Sequence, residues 1–202
     1  RKDKLTMYVS KWLKRICGDE LIVNTYNVLP YRYNYGWREI LDNTITLYDL
    51  IEVRQTTLLN YIMDLNPNET IHKMRETFIK SCVSSCVLCY ILGVGDRHTE
   101  NILINKWGDL IHIDFSYLLG EDPKHVDVEM KITNDMVEAL GGKQSANFMR
   151  FKVICGKIYK KIRKRSGLWY ILLSYLSFIE PPIYPYYNNN QLIKDYVIIL
   201  RY

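Results

Sequence analysis

The sequence predicts an α+β fold that is mainly helical and carries a small amount of sheet. Long stretches have apolar residues at helical spacing, and the longest runs from residue 70 to residue 92. Short apolar runs rich in strand-type residues flank turns in two places, early in the chain and around residues 106–109. With 202 residues, the chain is long enough for one core or two small lobes.

Residues 1–41 have the pattern of a mixed α/β segment, whereas helical spacing dominates residues 42–202. In the first part, the predicted elements are a helix over 5–16 ended by Gly18, and strands over 21–29 and 37–41 with a turn at Pro30 and Asn34. In the second part, helices are predicted over 45–63 behind a cap at Asn43 and Thr44, then over 70–92, 133–140, 145–165 and 168–179, with breaks at 66–68, 141–142 and 180–182.

A hairpin with polar loops at both ends, between residues 93 and 120, carries the candidate chemistry. Residues 102–105 and 110–113 predict two strands joined by a turn. An antiparallel hairpin returns the chain to its start, so we expect Asn101 and Asp114 to be neighbours. An amide oxygen beside a carboxylate suits Mg²⁺, which usually takes one or two protein ligands plus substrate phosphates and water. We therefore predict a site for Mg²⁺, or Mn²⁺, at these two residues.

The triplet Asp96-Arg97-His98, just before the hairpin, supplies the candidate catalytic residues. Asp96 stands five residues before Asn101, the offset between the catalytic Asp and the metal-binding Asn of protein kinases. The order D-R-H reverses the protein-kinase H-R-D and points away from ordinary protein kinases. His98 and Asp96 both remain candidates for the base, and we favour His98 because histidine titrates near neutral pH. Arg97 is predicted either to neutralise phosphate or to anchor the loop.

Cys82, Cys86 and Cys89 share the C-x₃-C-x₂-C spacing of one class of iron–sulfur site. They fall inside the predicted helix over 70–92, where such spacing is one buried face, so we interpret them as reduced, buried thiols. The net charge of +5 suits an anionic partner without identifying it. No signal peptide or membrane-spanning run is recognised, and a chain that starts with Arg1 is expected to begin inside a longer protein.

These motifs resemble those of the phosphatidylinositol 3-/4-kinase superfamily over nearly the whole chain. The matching segments are R-K-D-K-L at 1–5 (family pattern R-Q-D-x-L), G-W-R-E-I-L at 36–41 (hinge pattern G-x-x-E-x-x), G-V-G-D-R-H at 93–98 and D-F-S-Y-L-L-G-E-D-P-K at 114–124. The last segment is similar to the D-F-G-Y-x-L-G-x-D-P-K of class III phosphatidylinositol 3-kinases, the vacuolar protein-sorting type.

The resemblance implies a bilobal protein-kinase-like fold, of which residues 1–41 are the end of the N-lobe with the hinge and residues 42–202 are the helical C-lobe. The catalytic loop would be 93–101 and the activation loop 114–132. The implied activity is transfer of the ATP γ-phosphate to the 3-hydroxyl of phosphatidylinositol. The implied nucleotide-binding residues are Asp3, Tyr26, Glu39, Ile40, Leu41, Leu103 and Ile113.

The activation loop agrees with a head group that carries no ring phosphates. Residues 121–131 contain four acids against two lysines, whereas a loop that reads ring phosphates should be rich in Lys and Arg. Lys124 and His125 are the candidate contacts to the single diester phosphate. The resemblance also implies a cytoplasmic, peripheral position on endosomal or autophagic membranes, a regulatory protein-kinase-like subunit with adaptor proteins, and no nucleic acid.

Several features depart from the family pattern. Ser116 replaces the glycine of D-F-G, which predicts a stiffer or differently set loop. The phosphate-binding loop and ATP lysine lie outside this chain, and residues 125–129 lack the prolines of class III loops. Two alternatives therefore stay open: a non-catalytic scaffold in a sorting or autophagy complex, and a PI3-kinase-related Ser/Thr protein kinase.

A basic cluster lies near the end of the predicted helix over 145–165. Six of the nine residues from 157 to 165 are Lys or Arg. A solvated helix face explains this pattern, and attraction to anionic lipid head groups explains it equally well if the protein acts on a bilayer.

Overall fold

The computed structural model describes residues 2–32, 35–123, 130, 132–167, 169–171 and 174. The elements in chain order are α1 (Lys2–Cys17), β1 (Val28–Arg32), β2 (Tyr35–Arg38), β3 (Thr44–Thr46), a π-helical turn (Asp49–Val53), α2 (Leu58–Leu65), α3 (Ile71–Leu92), β4 (Ile102–Asn105), β5 (Leu110–His112), α4 (Asn134–Ala139) and α5 (Ala146–Arg163). Short 3₁₀ turns follow α1 and precede β4. The predicted mainly helical α+β fold is confirmed.

The strands form two small antiparallel sheets. β1 pairs with β2 in a two-stranded ribbon, and β3, β4 and β5 form a three-stranded sheet in that order. Ile102 lies opposite His112 and Ile104 opposite Leu110, so β4 and β5 are the predicted hairpin. β3 joins the free edge of β4 through the pair Thr44 and Asn105.

α3 is the central helix of the fold. Every residue from 81 to 89 is buried, so this part of the helix is enclosed on all sides. It contacts α5, α2 and β5. Its small side chains let these neighbours approach closely, and the three predicted cysteines all lie within it as free, buried thiols. The prediction that these cysteines are buried thiols within a helix is confirmed, but the helix is buried on every side there and not on one face.

Buried serines of α3 bond to the chain segments packed against the helix. Ser81 Oγ accepts from the backbone N–H of Leu110 at 3.1 Å, at the start of β5. Ser84 Oγ donates to the carbonyl of Ile22 at 2.5 Å. Because these hydroxyls are satisfied by backbone groups, they are buried without an unpaired polar atom, and they fix the hairpin against the helix.

Side-chain caps begin the main helices of the second part. Thr57, Thr70, Thr133 and Ser145 each accept a hydrogen bond from the backbone N–H three residues later, at 3.0–3.3 Å. Gly93 ends α3 in the left-handed conformation, with φ 53°. The predicted helices over 70–92, 133–140 and 145–165 are thus confirmed to within a few residues.

The predicted strand over residues 21–29 is wrong over most of its length. Residues 22–27 have no regular secondary structure and join no sheet, and β1 begins only at Val28. Leu21, Val23 and Tyr26 pack into the core instead of pairing. Pro30 lies inside β1 rather than in a turn, and β2 begins two residues before the predicted 37–41.

The predicted helix over residues 45–63 is also wrong at its start. Thr44 belongs to β3 rather than to a cap, and the short β3 is followed by the π-helical turn and then by α2. The strand exists because Ile45 pairs with Ile104, about sixty residues away. No local pattern in the sequence predicts that pairing. Thr46 supplies the local cap, since its Oγ1 accepts from the N–H of Asp49 at 2.9 Å.

The predicted helix over 168–179 lies largely outside the described residues, although residues 169–171 and 174 are helical. Residues 180–182 and the end of the chain lie outside them as well. No helix among the described residues is both long and apolar enough to span a membrane.

Candidate active site

The loop that follows α3 forms backbone hydrogen bonds with the segment after β5. The N–H of Gly95 donates to the carbonyl of Tyr117 at 3.0 Å. The N–H groups of Leu119 and Gly120 donate to the carbonyls of Leu92 and Gly93, at 2.7 and 2.9 Å. The predicted catalytic loop and the predicted activation loop are therefore held side by side at their starts.

Gly95 is required by this close approach. A Cβ on Gly95 would lie 2.1 Å from the carbonyl oxygen of Glu121 and 2.9 Å from Cα of Asp122. Asp122 is buried, and its Oδ2 accepts from the N–H of Asp96 at 3.1 Å. Neither role was predicted for these two residues, although both lie within the motifs that carry the resemblance.

Asp96, His98 and Asn101 form one connected cluster. Asn101 Nδ2 donates to the carbonyl of Asp96 at 3.0 Å and lies 3.1 Å from His98 Nε2. His98 Nε2 is 3.7 Å from Asp96 Oδ2, and Nδ1 is 3.5 Å from Glu100 Oε2. Because the amide N–H donates, His98 Nε2 acts as the acceptor in this arrangement and Asn101 Oδ1 stays available to a ligand.

Arg97 anchors the loop through the backbone. Its Nε donates to the carbonyl of Gly95 at 3.0 Å, and its Nη1 donates to that of Ile113 at 2.7 Å. Nη2 donates to the carbonyl of Asp114, and the guanidinium lies 5.4 Å from the ring centroid of Phe115. Arg97 is buried, and its Nε, Nη1 and Nη2 all donate to backbone carbonyls. Arg97 therefore fits the loop-anchoring alternative rather than phosphate neutralisation.

Asp114 lies beside Asn101 at the open end of the hairpin, as predicted, because the N–H of Ile113 donates to the carbonyl of Asn101 at 3.1 Å. Asp114 and Asp96 both have a left-handed backbone, with φ 56° and 52°. Such conformations are uncommon outside glycine and concentrate at functional sites, and Asp tolerates them better than most residues. No pattern in the sequence predicted this backbone geometry.

The oxygen donors at Asn101 and Asp114 fit a hard divalent cation. Asp114 is exposed, and an amide oxygen beside a carboxylate is the donor chemistry of Mg²⁺ sites. Within the described part of the chain, no group of three or more His, Cys, Asp or Glu is arranged to hold a metal. A cation here would therefore depend on nucleotide phosphates for its remaining ligands.

Asp3 and Tyr26 meet under the activation loop. The Tyr26 hydroxyl donates to Asp3 Oδ1 at 2.9 Å, and the N–H of Phe115 lies 3.3 Å from the same oxygen. Burial, and then the Asp3 carboxylate, raise the pKa of Tyr26 above its ordinary value, so the hydroxyl remains a donor. These two predicted nucleotide contacts thus bond to each other and to the residue after Asp114.

The five residues predicted to line the adenine slot surround one open cleft of about 440 Å³. Leu103 and Ile113 form its floor at the hairpin, and Ile40 is 86% exposed at its rim. The cleft is lined by Arg38, Glu39, Ile40, Leu41, Thr44, Leu103 and Ile113. Arg38 falls within the predicted hinge segment, whereas Thr44 was not predicted because it reaches the cleft only through the pairing of β3.

Glu39 is held at the cleft by the extended segment before β1. Its Oε2 accepts from the N–H of Asn27 at 2.7 Å, and its own N–H donates to the Asn27 carbonyl at 2.9 Å. The predicted substrate contacts Lys124 and His125 lie outside the described residues.

This chain belongs to the phosphatidylinositol 3- and 4-kinase family, whose profile matches residues 1–185. It is 36% identical over 176 residues to a protein of Arabidopsis thaliana named phosphatidylinositol 3-kinase VPS34, covering 83% of this chain and 21% of that protein. The proteins of the same name in Candida glabrata and Saccharomyces cerevisiae are 44% and 32% identical, again over 83% of this chain and 20% of each relative. The chain spans about a fifth of the length of these relatives. The predicted superfamily is confirmed.

Proposed function

We propose that the protein carrying this chain is a lipid kinase that transfers the γ-phosphate of ATP to the 3-hydroxyl of phosphatidylinositol. The observation that carries the proposal is the cluster of Asp96, His98 and Asn101, bonded together beside Asp114 next to an open cleft. The relatives named phosphatidylinositol 3-kinase support the choice of lipid substrate and ring position.

His98 is the proposed base. The hydrogen bond from Asn101 leaves Nε2 of His98 unprotonated. This nitrogen would take the hydroxyl proton once the substrate hydroxyl replaces the Asn101 amide as its partner. Asp96 Oδ2, at 3.7 Å, would stabilise the imidazolium that forms. Arg97 keeps this loop in register with Asp114 through its carbonyl contacts.

Asn101 and Asp114 are the proposed ligands of Mg²⁺, with Mn²⁺ as an alternative. When bound, the cation neutralises the phosphates and favours phosphoryl transfer. The cleft at Leu103 and Ile113 offers an apolar floor on which the adenine ring of ATP would lie, and Glu39 to Leu41 form its rim.

Two of the four activation-loop acids are engaged by the protein itself. Glu121 Oε2 lies 3.3 Å from Lys2 Nζ, and Asp122 accepts from Asp96. The electrostatic case for a head group without ring phosphates therefore rests on Asp127 and Glu129, outside the described residues. Contacts from Lys124 or His125, a position on endosomal or autophagic membranes, and a protein-kinase-like regulatory subunit with adaptors remain parts of the proposal.

Labelling of phosphatidylinositol vesicles by ³²P-ATP tests the function, with the full-length protein. We expect phosphatidylinositol 3-phosphate as product and a loss of at least a hundredfold on Asp114→Asn, because the ligand charge is removed. Asparagine also tolerates the left-handed backbone, so this variant separates charge from backbone strain, whereas Asp114→Ala changes both. Undiminished labelling by Asp114→Asn would refute the metal site.

Two other results would redirect the proposal. Absence of lipid product together with absence of ATP binding would favour the non-catalytic scaffold. Phosphorylation of peptides but not lipid would favour a protein kinase. The ordinary backbone of Ser116 removes one argument for the scaffold, because Ser116 is not among the residues with positive φ.

A further inference from the structure

Two positions at which this chain departs from the motifs of its family lie in contact. Lys2 stands where the pattern R-Q-D-x-L has Gln, and Ser116 stands where D-F-G has Gly. Lys2 Nζ donates to the carbonyl of Ser116 at 2.6 Å and lies 3.3 Å from Glu121 Oε2. The first turn of α1 thereby holds the segment that follows Asp114.

Ser116 also contacts the predicted metal ligand directly. Its Oγ donates to Asp114 Oδ1 at 2.5 Å, and its backbone N–H donates to the same oxygen at 3.1 Å. The backbone of Ser116 does not need glycine, since positive φ occurs at Asp114 and not at Ser116. The main consequence of replacing glycine by serine is therefore the added hydroxyl, and not the expected stiffness of a serine backbone.

When one oxygen of a carboxylate accepts two hydrogen bonds, the side chain is restricted to fewer rotamers and its other oxygen remains available to a ligand. Asp114 is exposed, so without these donors its side chain would rotate freely in solvent. Hydrogen bonds to a ligating carboxylate commonly change metal affinity by about 10- to 100-fold. Oδ1 is the fixed oxygen here, so Oδ2 is the oxygen that would be left for a cation.

We propose that Ser116 is a positioning residue that orients the Asp114 carboxylate for a divalent cation, and that Lys2 holds Ser116 in place. The proposal rests on the proposed function only in taking Asp114 as a cation ligand. It assigns to Ser116, at which this chain departs from the D-F-G pattern, a task that glycine cannot perform because it has no side chain.

Mn²⁺ binding by the full-length protein tests this, measured by the electron paramagnetic resonance of free Mn²⁺ with a non-hydrolysable ATP analogue present. We expect Ser116→Ala to weaken Mn²⁺ binding about tenfold. Ser116→Thr keeps the hydroxyl and should bind within about twofold of the parent. Ser116→Gly, which restores the family residue, should behave like the alanine variant because both lack the hydroxyl.

Matched measurements keep the outcomes distinct. Affinity for the ATP analogue without a divalent cation should be equal in all these proteins, which shows that the fold is intact. Equal Mn²⁺ affinity in the parent and Ser116→Ala, or an equal loss in the Ala and Thr variants, overturns the proposal. A parent that does not bind Mn²⁺, or an Asp114→Asn variant that binds it undiminished, also overturns it. Failure to phosphorylate lipid with normal Mn²⁺ binding refutes the proposed function alone.

Discussion

His112 is a buried histidine in β5, two residues before Asp114. It is 6% exposed, and its Nδ1 lies 3.5 Å from the sulfur of Cys89. Burial, and then the positive charge of Arg97, lower the pKa of His112 to about 3. Protonation would place a charge in the core beside a cation, so the folded protein holds this histidine neutral.

The lowered pKa predicts a loss of stability in mild acid. In the unfolded chain the pKa of His112 is about 6.5, so below that pH the histidine is protonated when unfolded but stays neutral when folded. The free energy of unfolding therefore falls as the pH drops towards 3. The contribution of neutral His112 to the free energy of unfolding is fully present above pH 6.5, and about 2 kcal/mol of that free energy is lost at pH 5. Denaturant unfolding at pH 7.5 and pH 5 measures it.

His112→Gln is the control for that experiment. It is less stable than the parent at neutral pH through altered packing, but the difference between the two proteins should shrink as pH falls. A constant difference across this pH range would show that His112 does not remain neutral in the folded state.

At the scale of elements, the junction of the catalytic and activation loops depends on one glycine. We predict that Gly95→Ala lowers the free energy of unfolding by about 1–3 kcal/mol, because the new Cβ meets backbone atoms of residues 121 and 122. Hydrogen exchange should show lost protection at the N–H groups of Leu119 and Gly120, which bond across this junction. The proposed lipid kinase activity should fall with it.

Gly156→Ala is the matched substitution. Gly156 lies in α5 with open space around it, so alanine there should raise stability by up to about 1 kcal/mol through helix propensity. Unchanged protection at residues 119 and 120 in Gly95→Ala would contradict the predicted displacement of the loops.

At the scale of the whole molecule, α5 runs parallel to α3. Arg150 pairs with Glu76 near the start of both helices, and Tyr159 contacts Tyr90 with ring centroids 5.7 Å apart near their ends. The basic cluster at residues 157–165 lies beside the turn that follows α1, whereas the first turn of α1 contacts the predicted activation loop. Lys157 and Lys161 pair with Glu20, while the remaining basic residues of the cluster are exposed.

We predict that this exposed end of α5 binds anionic vesicles. Lys160→Gln combined with Lys164→Gln should weaken binding to phosphatidylserine vesicles about thirtyfold, at roughly 1 kcal/mol for each basic residue, and the effect should fade with salt. Lys143→Gln with Lys152→Gln changes the net charge equally near the start of α5. If both double variants bind as the parent does, the cluster is only a solvated face.

The sequence by itself determined the helices α3, α4 and α5, the β4–β5 hairpin and the neighbourhood of Asn101 and Asp114. These follow from patterns of a few residues: helical spacing, and a turn between two apolar runs. Local patterns of this kind act before any distant contact forms, so they can be read from the chain alone.

Tertiary structure decided the rest. β3 exists through its pairing with β4, residues 22–27 form no strand and contact α1 and α3 instead, and Gly95 is required by a loop that lies 26 residues later in the chain. The sequence also did not predict the left-handed backbone of Asp114 or the hydrogen bonds that Ser116 donates to its carboxylate. Each of these depends on which distant segments meet in space, and spacing along the chain carries no information about such meetings.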